Sequence, residues 1–119
     1  MRKEAIEQEM VISWCNLQSC KYKELELIYH VPNGGKRNKL EAVALKRQGV
    51  KAGVPDLYLP VARNGYHGLY IELKVKGNTC TDNQKYWLNR LKDEGYKATV
   101  CYGAEEAIDA IKKYLNIVF

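Results

Sequence analysis

The sequence predicts an α/β domain in which helices flank a mixed, four-stranded sheet, in the order α-β-α-β-β-α-β-α. Segments with apolar residues at helical spacing alternate with short segments rich in β-branched and aromatic residues, and turn-forming residues separate them. The length of 119 residues suits a single hydrophobic core, so residues 1–119 are expected to form one domain.

The first half of the chain contains two predicted helices and one predicted strand. Apolar residues recur at helical spacing over residues 3–19 and predict a helix with an apolar stripe made of Ile6, Met10, Trp14 and Leu17. Residues 24–31 alternate between polar and apolar side chains and then become apolar, which favours a strand. A turn-rich loop over residues 32–39 leads into a second helix that ends at Gly49.

The second half begins with two predicted strands, residues 56–61 and 68–75, and the Asn64-Gly65 pair between them is a hairpin signal. Thr81 and Gln84 have the spacing of a capping box and begin a third helix that ends at Gly95. A fourth strand follows over residues 96–102. The last helix, residues 104–115, carries an apolar side made of Ala107, Ile108, Ile111 and Leu115.

Composition narrows the class of protein. The hydrophobic fraction of 46% and the charged fraction of 28% are those of a soluble globular chain, and no apolar run is long enough to span a membrane. The acidic residues near the N-terminus argue against a signal peptide, so a cytoplasmic location is expected. The net charge of +5 fits either an anionic partner such as nucleic acid or ordinary solubility.

The four cysteines, at positions 15, 20, 80 and 101, form no CxxC pair and match no zinc-ligand spacing. A redox or zinc protein is therefore disfavoured, and reduced, partly buried thiols are expected.

Three ionisable residues interrupt the strand-like segments of residues 53–74. Glu72 and Lys74 are two residues apart, so on a strand both project from one face, about 6.6 Å apart along it. Asp56 begins the preceding strand, and if the two strands pair as a hairpin, its carboxylate lies beside that of Glu72. Pro55 restricts Val54 to extended geometry and so fixes how the chain reaches Asp56.

Two neighbouring carboxylates repel each other, and a divalent cation relieves that repulsion. A nearby lysine can orient water or neutralise developing negative charge. This combination suits metal-assisted hydrolysis of a phosphodiester. Taken alone, the E-x-K pattern of Glu72 and Lys74 favours a solvated pair on one strand, which is common.

The motifs GVPD at residues 53–56, ELK at 72–74 and TDNQ at 81–84 resemble the PD-(D/E)XK nuclease superfamily, and more narrowly its VRR-NUC branch of small standalone domains encoded by phages. The resemblance covers essentially the whole chain and implies a restriction-endonuclease-like core. It also implies Mg²⁺ or Mn²⁺ bound by Asp56, Glu72 and the backbone carbonyl of Leu73, with Lys74 beside the attacking water.

The resemblance further implies a glutamate from the first helix. Glu4, Glu7 and Glu9 are candidates, and the apolar stripe centres nearest Glu7, which makes Glu7 the first choice and Glu4 the reserve. Glu7 could instead be a solvated acid near a helix N-terminus. Gln84 is expected close to the active site, although the capping box alone would explain it.

Basic residues in the loop and the second helix are candidate DNA contacts, because lysine and arginine bind phosphate. Within the glycine-containing loop the candidates are Lys36, Arg37 and Lys39, with Arg37 favoured by the resemblance, and within the helix they are Lys46 and Arg47.

The function predicted from the sequence is that of a metal-dependent DNA endonuclease. The resemblance to standalone phage domains implies a homodimer that acts on branched DNA such as four-way (Holliday) junctions. The C-terminal segment, residues 116–119, is apolar enough to contribute to self-association or to pack on its own core. The alternative is a nucleic-acid-binding module with the same fold and no catalysis.

Overall fold

The computed structural model describes residues 2–33 and 38–117 and confirms the predicted α/β class. Its elements, in chain order, are α1 (Arg2–Gln18), a 3-10 helix (Lys23–Leu27), β1 (Tyr29–His30), α2 (Lys39–Arg47), β2 (Leu57–Leu59), β3 (Leu69–Lys74), α3 (Asp82–Asp93), β4 (Lys97–Tyr102) and α4 (Gly103–Leu115). Within the described ranges, every helix is too short or too polar to cross a membrane.

The four strands form one mixed sheet in the order β1-β2-β3-β4. β2 pairs with β1 and with β3 in antiparallel fashion, whereas β3 and β4 are parallel. The predicted hairpin turn joins β2 to β3, with φ of 52° at Asn64 and 84° at Gly65. Positive φ at both central residues is what the tight turn of a hairpin requires.

The hydrophobic core lies between one face of the sheet and the helices α1 and α4. Leu69, Ile71 and Leu73 of β3 point into it, and Val11 of α1 and Ile111 of α4 pack from the helix side. Because side chains alternate along a strand, the residues between them in β3 point to the opposite face. That opposite face therefore carries Tyr70, Glu72 and Lys74.

Two local predictions were wrong. Residues 24–28 do not extend the first strand, because Lys23–Leu27 form a 3-10 helix and β1 has only two residues. Leu25 of this helix inserts into the core, and Glu24 pairs with Arg63 of the hairpin at 2.6 Å. The alternation of acidic residues and leucines in this segment does not distinguish the two structures, because a strand and a short 3-10 helix can each bury a single leucine between two acids.

The second wrong prediction concerns the buried face of α1. Three residues of the predicted apolar stripe are substantially exposed: Ile6 by 50%, Met10 by 52% and Leu17 by 74%. The buried residues are instead Val11 and Cys15, one turn apart. Because these side chains are small, α1 can lie close against the sheet and α4 with this side turned inward. This packing sets the rotation of α1 about its own axis.

The start of α3 and the buried side of α4 agree with the predictions or come close to them. Both bonds of the capping box are present, since Gln84 N–H donates to Thr81 Oγ1 and Thr81 N–H donates to Gln84 Oε1. On α4, three of the four predicted apolar residues are buried and Ile108 is half-buried. Ile117 packs against the core of its own chain, whereas residues 118 and 119 lie outside the described part.

Candidate active site

Asp56 and Glu72 lie opposite each other on adjacent strands. The antiparallel register places Leu57 beside Ile71, and continuing it by one residue brings Asp56 beside Glu72. The Oδ2 atom of Asp56 accepts a hydrogen bond of 2.8 Å from the backbone N–H of Leu73. The side chain of Asp56 thus continues the hydrogen-bond ladder by one residue before the start of β2. This bond holds the carboxylate of Asp56 against β3.

Glu72 is the most confined ionisable group of this site. It is only 2% exposed, and its Oε1 atom has no hydrogen-bond partner among the described residues. Lys74, which is 7% exposed, places its Nζ 3.7 Å from Glu72 Oε2. A buried carboxylate oxygen without a partner is energetically costly, so this atom marks a position where a cation or a donor would be stabilising.

Burial is the largest cause of a raised pKa in both carboxyl groups. Burial raises the pKa of Glu72 to about 8, the charge of Asp56 raises it further, and the positive charge of Lys74 opposes the shift. Burial likewise raises the pKa of Asp56, while the hydrogen bond from Leu73 opposes that increase. The two acids cannot both be ionised cheaply unless positive charge is supplied.

This shift predicts a pH dependence of stability in the absence of divalent metal. The folded state keeps a proton on Glu72 up to about pH 8, whereas the unfolded carboxyl releases it near its ordinary value of 4.5. The free energy of unfolding should therefore be highest below the lower pKa and fall as the pH rises to the upper one, by about 5 kcal/mol. Urea unfolding in EDTA across this pH range measures it. Glu72→Gln should remove most of the slope, and an unchanged slope would contradict the shift.

The oxygen atoms of this site fit a divalent cation of the Mg²⁺ or Mn²⁺ type. Such ions prefer carboxylate and carbonyl oxygens and retain several water molecules, so few protein ligands are needed. The unpartnered Oε1 of Glu72 and the crowded charges of the pair are the features that a cation would relieve. Within residues 2–33 and 38–117, no three His, Cys, Asp or Glu side chains cluster closely enough to hold a metal by themselves.

Of the first-helix acids, Glu4 acts on the carboxylate pair. Its negative charge contributes to raising the pKa of both Asp56 and Glu72, and its Oε2 accepts a hydrogen bond of 3.3 Å from Asn78. Glu7 is engaged elsewhere, because its Oε1 accepts a hydrogen bond of 2.7 Å from the N–H of Ala104 in the first turn of α4. The charge of the reserve candidate, Glu4, therefore acts on the pair, whereas the first choice, Glu7, contacts α4.

Gln84 takes part in the capping box through its Oε1, which accounts for its position without reference to the carboxylates. Cys80, just before α3, is half-buried in the same region. Burial raises the pKa of its thiol, and the charges of Lys74 and Glu72 both act on it. All four cysteines are unpaired thiols, as expected, and Cys15 and Cys101 are buried.

The basic candidates are only partly described. Lys36 and Arg37 lie outside the described residues, whereas Lys39, Lys46 and Arg47 are exposed on α2. None of the nine residues of α2 is buried. The helix therefore contributes little to the core and presents its basic side chains to solvent.

Sequence reasoning missed the polar residues behind Asp56. The carbonyl oxygen of Asp56 accepts hydrogen bonds of 2.8 Å from the N–H of Val31 and from Nδ1 of His30. Asn33 donates from Nδ2 to the carbonyl of Val54 and lies 3.5 Å from Oδ1 of Asp56. The sequence held no sign of these contacts, because they join residues more than 20 positions apart through the short β1 strand.

Comparisons with known proteins point to one family. The sequence model of the VRR-NUC domain family matches residues 2–105, a span that includes all of the acidic candidates and Lys74. A solved structure named "VRR_NUC domain protein" is 37% identical and superposes with a TM-score of 0.81, over 96% of this chain and 88% of that chain. A search of curated proteins finds no match.

Proposed function

The chain belongs to the VRR-NUC domain family, which implies a nuclease-type fold, and we propose that it is a metal-dependent DNA endonuclease of the PD-(D/E)XK type. One observation supports this more than any other. Two carboxylates and a lysine are crowded on one face of the sheet, and burial together with the charge of Asp56 raises the pKa of Glu72 in spite of the nearby Lys74. Such a site is poorly suited to a structural role and well suited to holding a cation.

In this proposal, Asp56, Glu72 and the carbonyl of Leu73 hold Mg²⁺ or Mn²⁺. The bound ion would activate water and neutralise the phosphate. Lys74, buried beside Glu72, holds the attacking water and opposes the negative charge that builds on the phosphate. Glu4 adds negative charge next to the pair, and Gln84 fixes the start of α3 near the site.

The substrate is proposed to be branched DNA, with four-way junctions preferred to linear duplex. A two-fold symmetric junction is matched most simply by a homodimer that carries one site per half. Lys36, Arg37, Lys39, Lys46 and Arg47 would supply phosphate contacts, which position DNA without reading its sequence.

Cleavage of labelled four-way junctions and of linear duplex, in Mn²⁺ and in EDTA, tests this function. We expect cutting only with the ion, and faster cutting of the junction. DNA binding without any cleavage would support the alternative of a non-catalytic binding module. Equal cutting of both substrates, or a monomer by light scattering at micromolar concentration, would contradict the junction proposal but not the nuclease proposal.

Metal binding should also appear as added stability. A ligand that binds only the folded state at 100 times its dissociation constant stabilises it by about 2.7 kcal/mol. Melting temperatures measured with and without Mn²⁺ should show this gain in the wild type and little of it in Asp56→Asn. An equal response in both proteins would exclude Asp56 as a ligand.

The basic face of α2 predicts a salt dependence of DNA affinity. Each phosphate contact releases counterions, so removing one contact should flatten the slope of log affinity against log salt by roughly one unit. Lys46→Ala and Arg47→Ala are expected to do so in metal-free binding assays. Lys113→Ala is the control, because α4 packs on the other face of the sheet from Glu72. A slope that changes equally in all three variants would contradict a specific role for α2.

A further inference from the structure

The carboxylate of Asp56 is held from two sides, and one of the two donors is a side chain. Leu73 N–H donates to Oδ2 at 2.8 Å, and Nδ2 of Asn33 lies 3.5 Å from Oδ1. The same Nδ2 donates to the carbonyl of Val54 at 3.0 Å. An amide nitrogen carries two N–H bonds, so Asn33 can serve both acceptors at once. It thereby bridges the residues on either side of Pro55.

We propose that Asn33 is a positioning residue that sets the orientation of the Asp56 carboxylate for a divalent cation. This inference rests on the proposed metal dependence. The last torsion of an aspartate side chain has a broad energy profile, so hydrogen bonds decide how the carboxylate plane is turned. With one oxygen held by Leu73 and the other by Asn33, the remaining lone pairs are directed consistently toward the side of Glu72.

The backbone around Asp56 is also held by hydrogen bonds that do not involve Asn33. Val31 and His30 each donate to the carbonyl of Asp56 at 2.8 Å, and Asn83 donates to the carbonyl of Ala52 at the same distance. These bonds keep the segment in place when the Asn33 amide is removed. The expected consequence of losing Asn33 is therefore a mis-oriented carboxylate in a folded protein, which affects metal affinity more than stability.

Titration of Mn²⁺ into purified protein by calorimetry tests this role directly, without DNA. Hydrogen bonds to metal ligands typically contribute 10- to 100-fold in affinity, so Asn33→Ala should raise the dissociation constant by about that factor. Asn83→Ala is the matched control, because it removes an asparagine anchor of the same segment that does not reach Asp56. Its dissociation constant should stay within about three-fold of the wild type. Asn33→Leu, which keeps the size without the donor, is the second variant if the alanine protein is unstable.

A double mutant separates orientation of Asp56 from a general effect on the site. In an Asp56→Asn background, removing Asn33 should cause no further loss of affinity, because the two residues act as one unit. Unchanged affinity in Asn33→Ala, or an equal loss in Asn83→Ala, would overturn the inference while leaving the proposed nuclease function intact. A wild-type protein that binds no Mn²⁺ would overturn both.

Discussion

Glu72→Gln and Lys74→Ala are each expected to lower the rate of DNA cleavage in Mg²⁺ by on the order of 10²- to 10³-fold. Oε1 of the buried Glu72 has no hydrogen-bond partner among the described residues, and the neutral amide of the Glu72→Gln variant would attract a cation far less. Lys74 places its ammonium group 3.7 Å from Oε2 of the Glu72 carboxylate. Single-turnover cleavage of a four-way junction measures both losses.

The two variants should remain folded, and Glu72→Gln should be more stable than the wild type in EDTA above pH 7. The amide of this variant carries no charge, so it avoids both the cost of burial and the repulsion from Asp56 that raise the pKa of the native carboxyl. Lys76→Ala is the matched control, since Lys76 lies two residues beyond Lys74 and is exposed. Near wild-type cleavage by either site variant, or a comparable loss in Lys76→Ala, would place the active site elsewhere.

The pairing of Asp56 with Glu72 could be predicted because strong local signals fix it. The Asn-Gly turn selects a tight hairpin, and the hairpin sets the register of its two strands. This register brings Asp56, just before β2, beside Glu72 in the second half of β3. Period-two alternation then places Glu72 and Lys74 on one face. None of these steps needs information from distant parts of the chain.

The polar surroundings of this pair could not be predicted in the same way. Asn33 and His30 reach Asp56 through β1, a strand of two residues that sequence patterning cannot delimit. The 3-10 helix before β1 buries Leu25 in the core, and its Glu24 pairs with Arg63, 39 positions away. Contacts of this kind are decided by tertiary packing and carry no local periodicity.

The choice between Glu4 and Glu7 depends on how α1 is rotated about its axis, which the pattern of apolar residues did not predict. The spacing of large apolar residues predicts that Ile6, Met10 and Leu17 lie on the buried side of α1. In the structure the helix instead turns its smaller residues, Val11 and Cys15, toward the core. That rotation carries Glu7 to the N-terminus of α4. Glu4, about one turn earlier on the helix, is then the acid whose charge acts on the carboxylate pair.

Opposite consequences are therefore expected for the two first-helix glutamates. Glu7→Ala should lower the free energy of unfolding by about 1.5 to 3 kcal/mol, the usual value of a hydrogen bond to a charged group. Its carboxylate caps an orphan N–H at a helix N-terminus, where negative charge is favourable. Gly103 has a φ of 90°, and a Cβ there would lie 3.2 Å from the Glu7 carboxylate, so the contact is a close one.

Glu4→Gln, in contrast, should leave stability nearly unchanged and act on the metal and the reaction. Removing its charge relieves repulsion on Asp56 and Glu72, and we expect weaker Mn²⁺ binding together with slower cleavage. Urea unfolding and Mn²⁺ calorimetry on Glu4→Gln, Glu7→Ala and Glu7→Gln separate the two roles, because Glu7→Gln keeps the acceptor and should recover most of the lost stability. If Glu7→Gln abolishes Mn²⁺ binding while Glu4→Gln retains it, Glu7 is the ligand and the role assigned to Glu4 is wrong.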